Sequence, residues 1–109
     1  MGCMSHDVDR VEPLRALVQK DPQNALAHYM LANEYLKSKR YREALSELDI
    51  YFGMADDEGA GYRMAATAHL GLGAEDAARE AYRKGIEAAT RHHHPSMVEE
   101  FEAAVAELS

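Results

Sequence analysis

The sequence predicts an all-α fold, and three observations in its 109 residues carry that expectation. Alanine is abundant, prolines number three and tryptophan is absent, a balance that favours helix because alanine has the best helix propensity and proline the worst. Apolar residues recur at helical spacing along most of the chain. The third observation is an internal repeat. Ala25 to Tyr35 (ALAHYMLANEY) falls in register with Gly59 to His69 (GAGYRMAATAH), an offset of 34 residues. Further on, Tyr41, Ala44, Leu45, Leu48 and Phe52 lie over Glu75, Ala78, Arg79, Tyr82 and Ile86. Self-similarity at a fixed period marks a repeat architecture.

Taken in order, residues 1–7 read as a frayed, disordered terminus. Its Met1-Gly2-Cys3 start falls short of a myristoylation signal, because His6 stands where Ser or Thr is needed. The first helix carries Val11, Leu14, Leu17 and Val18 as its stripe. Pro13 is tolerated only in a first turn, so the helix starts near Glu12 or admits Pro13 just inside an Asp9 cap, and Asp21-Pro22 stops it. Asn24 is a good N-cap for the second helix, which runs to about Lys37. Ser38-Lys39-Arg40 is a turn, and Tyr41 to about Met54 is the third helix, with Ala44, Leu45, Leu48, Tyr51 and Phe52 inward. Asp56-Asp57-Glu58-Gly59 breaks the chain. A fourth helix begins near Ala60 and ends at Gly71-Leu72-Gly73, where glycine supplies left-handed dihedrals. The fifth, about Ala74 to Thr90, has a wide apolar face of Ala77, Ala78, Ala81, Tyr82, Gly85, Ile86 and Ala89, with Glu80 and Lys84 as an i,i+4 pair outside it. Pro95 opens the sixth, to Leu108, with Met97, Val98, Phe101, Ala104, Val105 and Leu108 inward and Glu99, Glu100, Glu102 and Glu107 outward.

A 34-residue period split into two helical halves, with small Ala32 and Ala44 in the first unit and Ala66 and Ala78 in the second, resembles the tetratricopeptide repeat (TPR) family, and in particular small stand-alone bacterial members. The resemblance covers nearly the whole chain. It implies a TPR-type α-solenoid, a right-handed superhelix of about six antiparallel helices in a single domain over residues 8–109. On that frame residues 8–22 are a leading half-repeat ending at Pro22, residues 25–58 and 59–92 are full repeats, and the helix over 95–108 is a C-terminal cap, polar on its outer side. Tyr51 stands where the family usually has a small residue, whereas its counterpart Gly85 conforms. Tyr51 is therefore expected to widen the local packing or to need a partner for its hydroxyl. His28 and His69 stand where large aromatics are common; they are expected to fill core positions with each ring nitrogen partnered.

The resemblance further implies a non-catalytic protein-interaction module that holds a peptide or protein segment in a groove lined by the first helix of each repeat. The residues at those positions are Leu26, Tyr29, Asn33, Leu36 and Lys37, then Ala60, Arg63, Thr67, Leu70 and Gly71. Asn33 suits a peptide backbone, and Arg63 or Lys37 a carboxylate. Tyr29 replaces the lysine with which some relatives hold a terminal carboxylate. The alternative is a structural protein that associates with itself as a homodimer or larger assembly, using Tyr51, Phe52 and the last helix.

Composition narrows the remaining classes. A net charge of −7, with eleven acids against five bases in residues 56–109, disfavours nucleic acid and anionic membrane as partners. No apolar run is long enough to span a bilayer, and the lone Cys3 fits a reducing, cytoplasmic setting. No cofactor is expected. The only metal candidate is His92-His93-His94; consecutive residues cannot all face one ion, though a loop can bring two round, and a polar loop is the plainer reading. No enzyme is expected either: there is no nucleophile elbow and no phosphate loop, and the adjacent carboxylates Asp56-Asp57 and Glu99-Glu100 do not share a site.

Overall fold

The computed structural model describes residues 10–108. The readings placed on Cys3, Asp9 and the first seven residues lie outside that range. Six helices make up the described chain: α1 Val11–Lys20, α2 Ala25–Lys37, α3 Tyr41–Met54, α4 Ala60–Gly71, α5 Glu75–Arg91 and α6 Pro95–Leu108. The residues up to Ala55 form one compact unit and those from Asp56 onward another.

In the first unit α1 packs on α2 and α2 on α3. Pro13 sits in the first turn of α1, where its missing amide donor costs nothing. Asn24 caps α2 as expected, its side chain accepting the Ala27 amide at 3.0 Å. Contacts between α2 and α3 pair early residues with late ones: His28 with Glu47, Tyr29 with Tyr51, and Tyr35 with Arg40, whose guanidinium lies 4.8 Å from the Tyr35 ring centroid. The two helices are therefore antiparallel. Their crossing is closed by Ala32 and Ala44, both fully buried, which let the backbones approach. Val11 and Leu14 of α1 complete the core with Leu31, Tyr35 and Ala44.

The second unit is a three-helix arrangement. α5 runs antiparallel to α4 and to α6, because Asp56 meets Arg91 before α4 begins and Arg79 meets the Leu108 carbonyl. α4 and α6 run in the same direction, with Arg63 beside Glu100. Ala66 and Ala78 are fully buried, as their counterparts are in the first unit. Phe101 of α6 is also fully buried, its ring 5.5 Å from that of Tyr82. It rests against Gly85, where an added Cβ would stand 2.7 Å from Phe101 Cε2. Tyr51, at the matching place in the first unit, instead packs its ring 5.1 Å from Tyr29 and 5.5 Å from Phe52. One position thus serves two purposes: a seat for a ring in one unit, a ring of its own in the other.

The 34-residue period is visible in the backbone too. After α2, the amides of Ser38, Lys39 and Arg40 donate to the carbonyls of Glu34, Leu36 and Tyr35. After α4, Leu72, Gly73 and Ala74 donate to Ala68, Leu70 and His69, the same pattern 34 residues on. The pivot has a left-handed dihedral in each case, φ 61° at Lys39 and 76° at Gly73. Glycine takes that conformation freely, while lysine does so at a cost of about 1–2 kcal/mol. His93, φ 62°, closes the turn after α5 in the same way.

Candidate functional site

Each unit offers one face to consider. On α2 the spacing 26, 30, 33, 37 brings Leu26, Met30, Asn33 and Lys37 to one side, and all four are exposed. Leu26 is 64% exposed, a large aliphatic side chain left mostly to water. Met30 was not among the expected residues, although its place between Leu26 and Asn33 in the helical period is the signal that finds it. Two expected residues are less available. Tyr29 is half-buried against Tyr51, and Leu36 is half-buried against the core of its unit. Lys37 donates to Glu34 Oε2 at 3.1 Å, and Arg10 Nε stands 3.4 Å from the same oxygen. Glu34 is only 3% exposed, and its Oε1 has no hydrogen-bond partner among the described residues.

On α4 the expected residues are Ala60, Arg63, Thr67, Leu70 and Gly71. Thr67, Leu70 and Gly71 are exposed, Ala60 and Arg63 half-buried. The Thr67 hydroxyl donates back to the Arg63 carbonyl at 3.0 Å. Arg63 is committed within its own unit: Nε and one terminal nitrogen donate to the two oxygens of Glu100, both at 2.7 Å. This parallel fork holds the Glu100 carboxyl below the usual carboxylate range. The guanidinium also lies 5.5 Å from the centroid of the Phe101 ring. The signal for this pairing is absent from local sequence, since the two residues are 37 apart.

The acidic break before α4 is a built structure. Asp57, 6% exposed, accepts the amides of Gly59 and Gly61 through Oδ2, both at 2.8 Å, and so satisfies donors that the start of α4 leaves open. Gly59, φ 138°, has a backbone that only glycine adopts readily, and a Cβ there would collide with Met97 Sδ. Asp56 turns elsewhere, to Arg91 and His92 Nε2, both at 2.9 Å. His94 Nε2 bonds Glu58 at 2.7 Å. The Arg91 and His92 contacts draw the Asp56 carboxyl below its ordinary range, and the His94 contact does the same for Glu58. The three consecutive histidines do not turn to one point: His92 bonds Asp56 and lies 3.9 Å from Glu58, His94 bonds Glu58, and His93 is exposed at its left-handed turn. Among the described residues there is no group of three or more histidine, cysteine or acidic side chains placed to hold a metal ion.

His28 fills the core, 2% exposed, with Nδ1 at 2.6 Å from Glu47 Oε1 and Nε2 at 2.8 Å from the Pro22 carbonyl, as expected for a buried imidazole. His69 differs from expectation: it is half-buried and its ring has no hydrogen-bond partner among the described residues. Glu80 corrects a further expectation. It takes Arg83 in a two-pronged pair, at 3.0 and 2.6 Å, rather than Lys84, because a guanidinium fork at i+3 matches both carboxylate oxygens.

No family model matches the chain, and no curated protein matches it. Among solved structures, the solution structure of a protein from Bordetella parapertussis is similar, with a TM-score of 0.78 and 21% sequence identity over 90% of this chain and 85% of that one. At that identity the likeness is one of fold. Among the described residues no helix is long and apolar enough to cross a membrane.

Proposed function

We propose that this chain is a TPR-type solenoid and a non-catalytic cytoplasmic adaptor, binding a peptide or protein segment through the exposed face of α2. The observation that carries this reading is the exposed stripe of Leu26, Met30, Asn33 and Lys37 on α2, in which an aliphatic end, an amide and a cation follow one another along a single helix face. An extended or helical peptide is recognised by that mixture: the apolar pair takes a side chain, the amide can bond a backbone and the cation can pair an acid. Two features support the repeat architecture behind it. The fully buried alanine pairs recur at the crossings of both hairpins, and the turn hydrogen bonds recur at the 34-residue period.

Arg63, Leu36 and Lys37 carry less of this role than Asn33 and Leu26, because they are engaged inside their own units, Lys37 by Glu34. The test uses residues whose replacement leaves the core alone. Leu26→Glu combined with Asn33→Ala should abolish capture of the partner from lysate, while helicity and melting stay unchanged. Recovery of the same proteins by wild type and variant alike refutes the assignment.

A further inference from the structure

We propose that copies of this chain associate with one another through opposite charges, the basic corner between α2 and α3 of one copy meeting the outer face of α6 of another. Lys37, Lys39, Arg40 and Arg42 place four cations within six residues, and all four side chains are exposed. Lys37 and Arg40 are partly matched by Glu34 and Glu43, whereas Lys39 and Arg42 have no side-chain partner among the described residues. The helix α6 is the opposite case. Its fourteen residues include no lysine or arginine. Glu100 is taken by Arg63, but Glu99, Glu102 and Glu107 are exposed and have no partner among the described residues. Ala103 and Ala106, also exposed, lie between them and leave the face low enough for a neighbour to approach.

The rest of the second unit does not neutralise this face. Arg79 is drawn to Asp76 and to the Leu108 carbonyl at the end of α6, Arg83 to Glu80 and Glu87, and Arg91 to Asp56, while Lys84 on α5 is exposed and makes no ion pair with an α6 carboxylate among the described residues. The complement to α6 is instead carried by the first unit of the same sequence, so a second copy is a partner whose charge pattern already fits. A nucleic acid at the basic corner is disfavoured by the overall charge of −7. The contact is also ionic rather than apolar, since Tyr51 and Phe52, the residues first suggested for self-association, are half-buried against each other in the first unit. Because the two surfaces differ, the contact forms head to tail in series, or, where both can meet at once about a two-fold axis, as an isologous pair.

Single exposed ion pairs are weak and screened by salt, which makes ionic strength the discriminating variable. Light scattering across protein concentration, at about 0.01 M and about 1 M salt, compares screening lengths of ~30 Å and ~3 Å. The expected mass reaches about twice the 12.1 kDa of one chain, or more, at low salt and returns to one chain at high salt. Two surface variants separate this from other causes, each checked for unchanged helicity. Lys39→Glu with Arg42→Glu makes both surfaces acidic, and Glu99→Lys with Glu107→Lys makes both basic. Each should be monomeric alone, and the two mixed should associate again, since each then supplies what the other lacks. Four results overturn the proposal: a wild type that is monomeric at low salt, association that persists at high salt, a variant that associates alone, or a mixture that stays monomeric.

Discussion

Gly85 lies inside α5, where replacing glycine by alanine ordinarily stabilises a helix by about 1 kcal/mol. Here the sign should be reversed. A Cβ at Gly85 would stand 2.7 Å from Phe101 Cε2, 3.0 Å from Phe101 Cδ2 and 3.2 Å from Tyr62 Cβ. The Phe101 ring is fully buried, with Tyr82 on one side and the Arg63 guanidinium on another, so it has no open direction in which to yield. Overpacking of this kind costs about 1–3 kcal/mol, and the propensity gain offsets only part of it. Gly85→Ala should therefore destabilise the protein by up to about 2 kcal/mol in urea unfolding followed by circular dichroism. The same substitution in a Phe101→Ala background meets no ring and should stabilise by up to about 1 kcal/mol, a coupling of about 1–3 kcal/mol between the two sites. Phe101→Ala itself costs about 3–5 kcal/mol, close to the whole stability of a unit of about 50 residues, so the background is best measured in an osmolyte that favours burial. Two results would refute the reasoning. One is a gain in stability from Gly85→Ala in the wild type, and the other is a loss that persists once the ring is gone.

Asp57→Ala leaves the Gly59 and Gly61 amides without their acceptor and should cost about 2–4 kcal/mol, with hydrogen exchange at those two amides rising far more than in α2 or α3. Glu47→Ala removes the acceptor from His28 Nδ1 while leaving the ring buried; a loss of about 1–3 kcal/mol in the first unit is expected from urea unfolding, and an unchanged midpoint would contradict it. Acid should loosen the second unit. Asp56 and Glu58 have folded-state values below their ordinary ones, so their stabilising effect is present above pH ~4 and is lost as the pH falls through the lowered folded values. Replacing Arg91, His92 and His94 together by alanine should remove the share due to Asp56 and Glu58, making the acid limb of stability against pH shallower between about 5 and 2, while the share of Glu100, held by Arg63, remains.

Local chemistry made most of the helices readable in the sequence. Asn24 capping α2, Pro95 opening α6 and the alanine pairs at the crossings are decided by neighbours a few residues away, and each appears where the periodicity puts it. What the sequence concealed is decided across the fold. Arg63 and Glu100 are 37 residues apart, and nothing in either neighbourhood announces their fork. Asp57 looks like one more acid in a solvent loop until its carboxylate is seen buried under the first turn of α4. Glycines flagged the turn after α4, but the matching turn after α2 uses Lys39 in the same strained conformation, which composition alone does not reveal. On the candidate faces, the period placed Asn33, Thr67 and Leu70 in water, while Tyr29 and Arg63 were claimed by partners that only the packing identifies.

The division into two units, each held together by pairings between residues close in the chain, also bears on how the protein is made. Helical folds dominated by local contacts reach their native state in microseconds to milliseconds, because little chain must be gathered before a contact forms. Translation adds about 5–20 residues per second, so the residues after Ala55 take seconds to emerge. The first unit thus has thousands of folding times to settle its own core before Phe101, on which the second unit's core depends, leaves the ribosome.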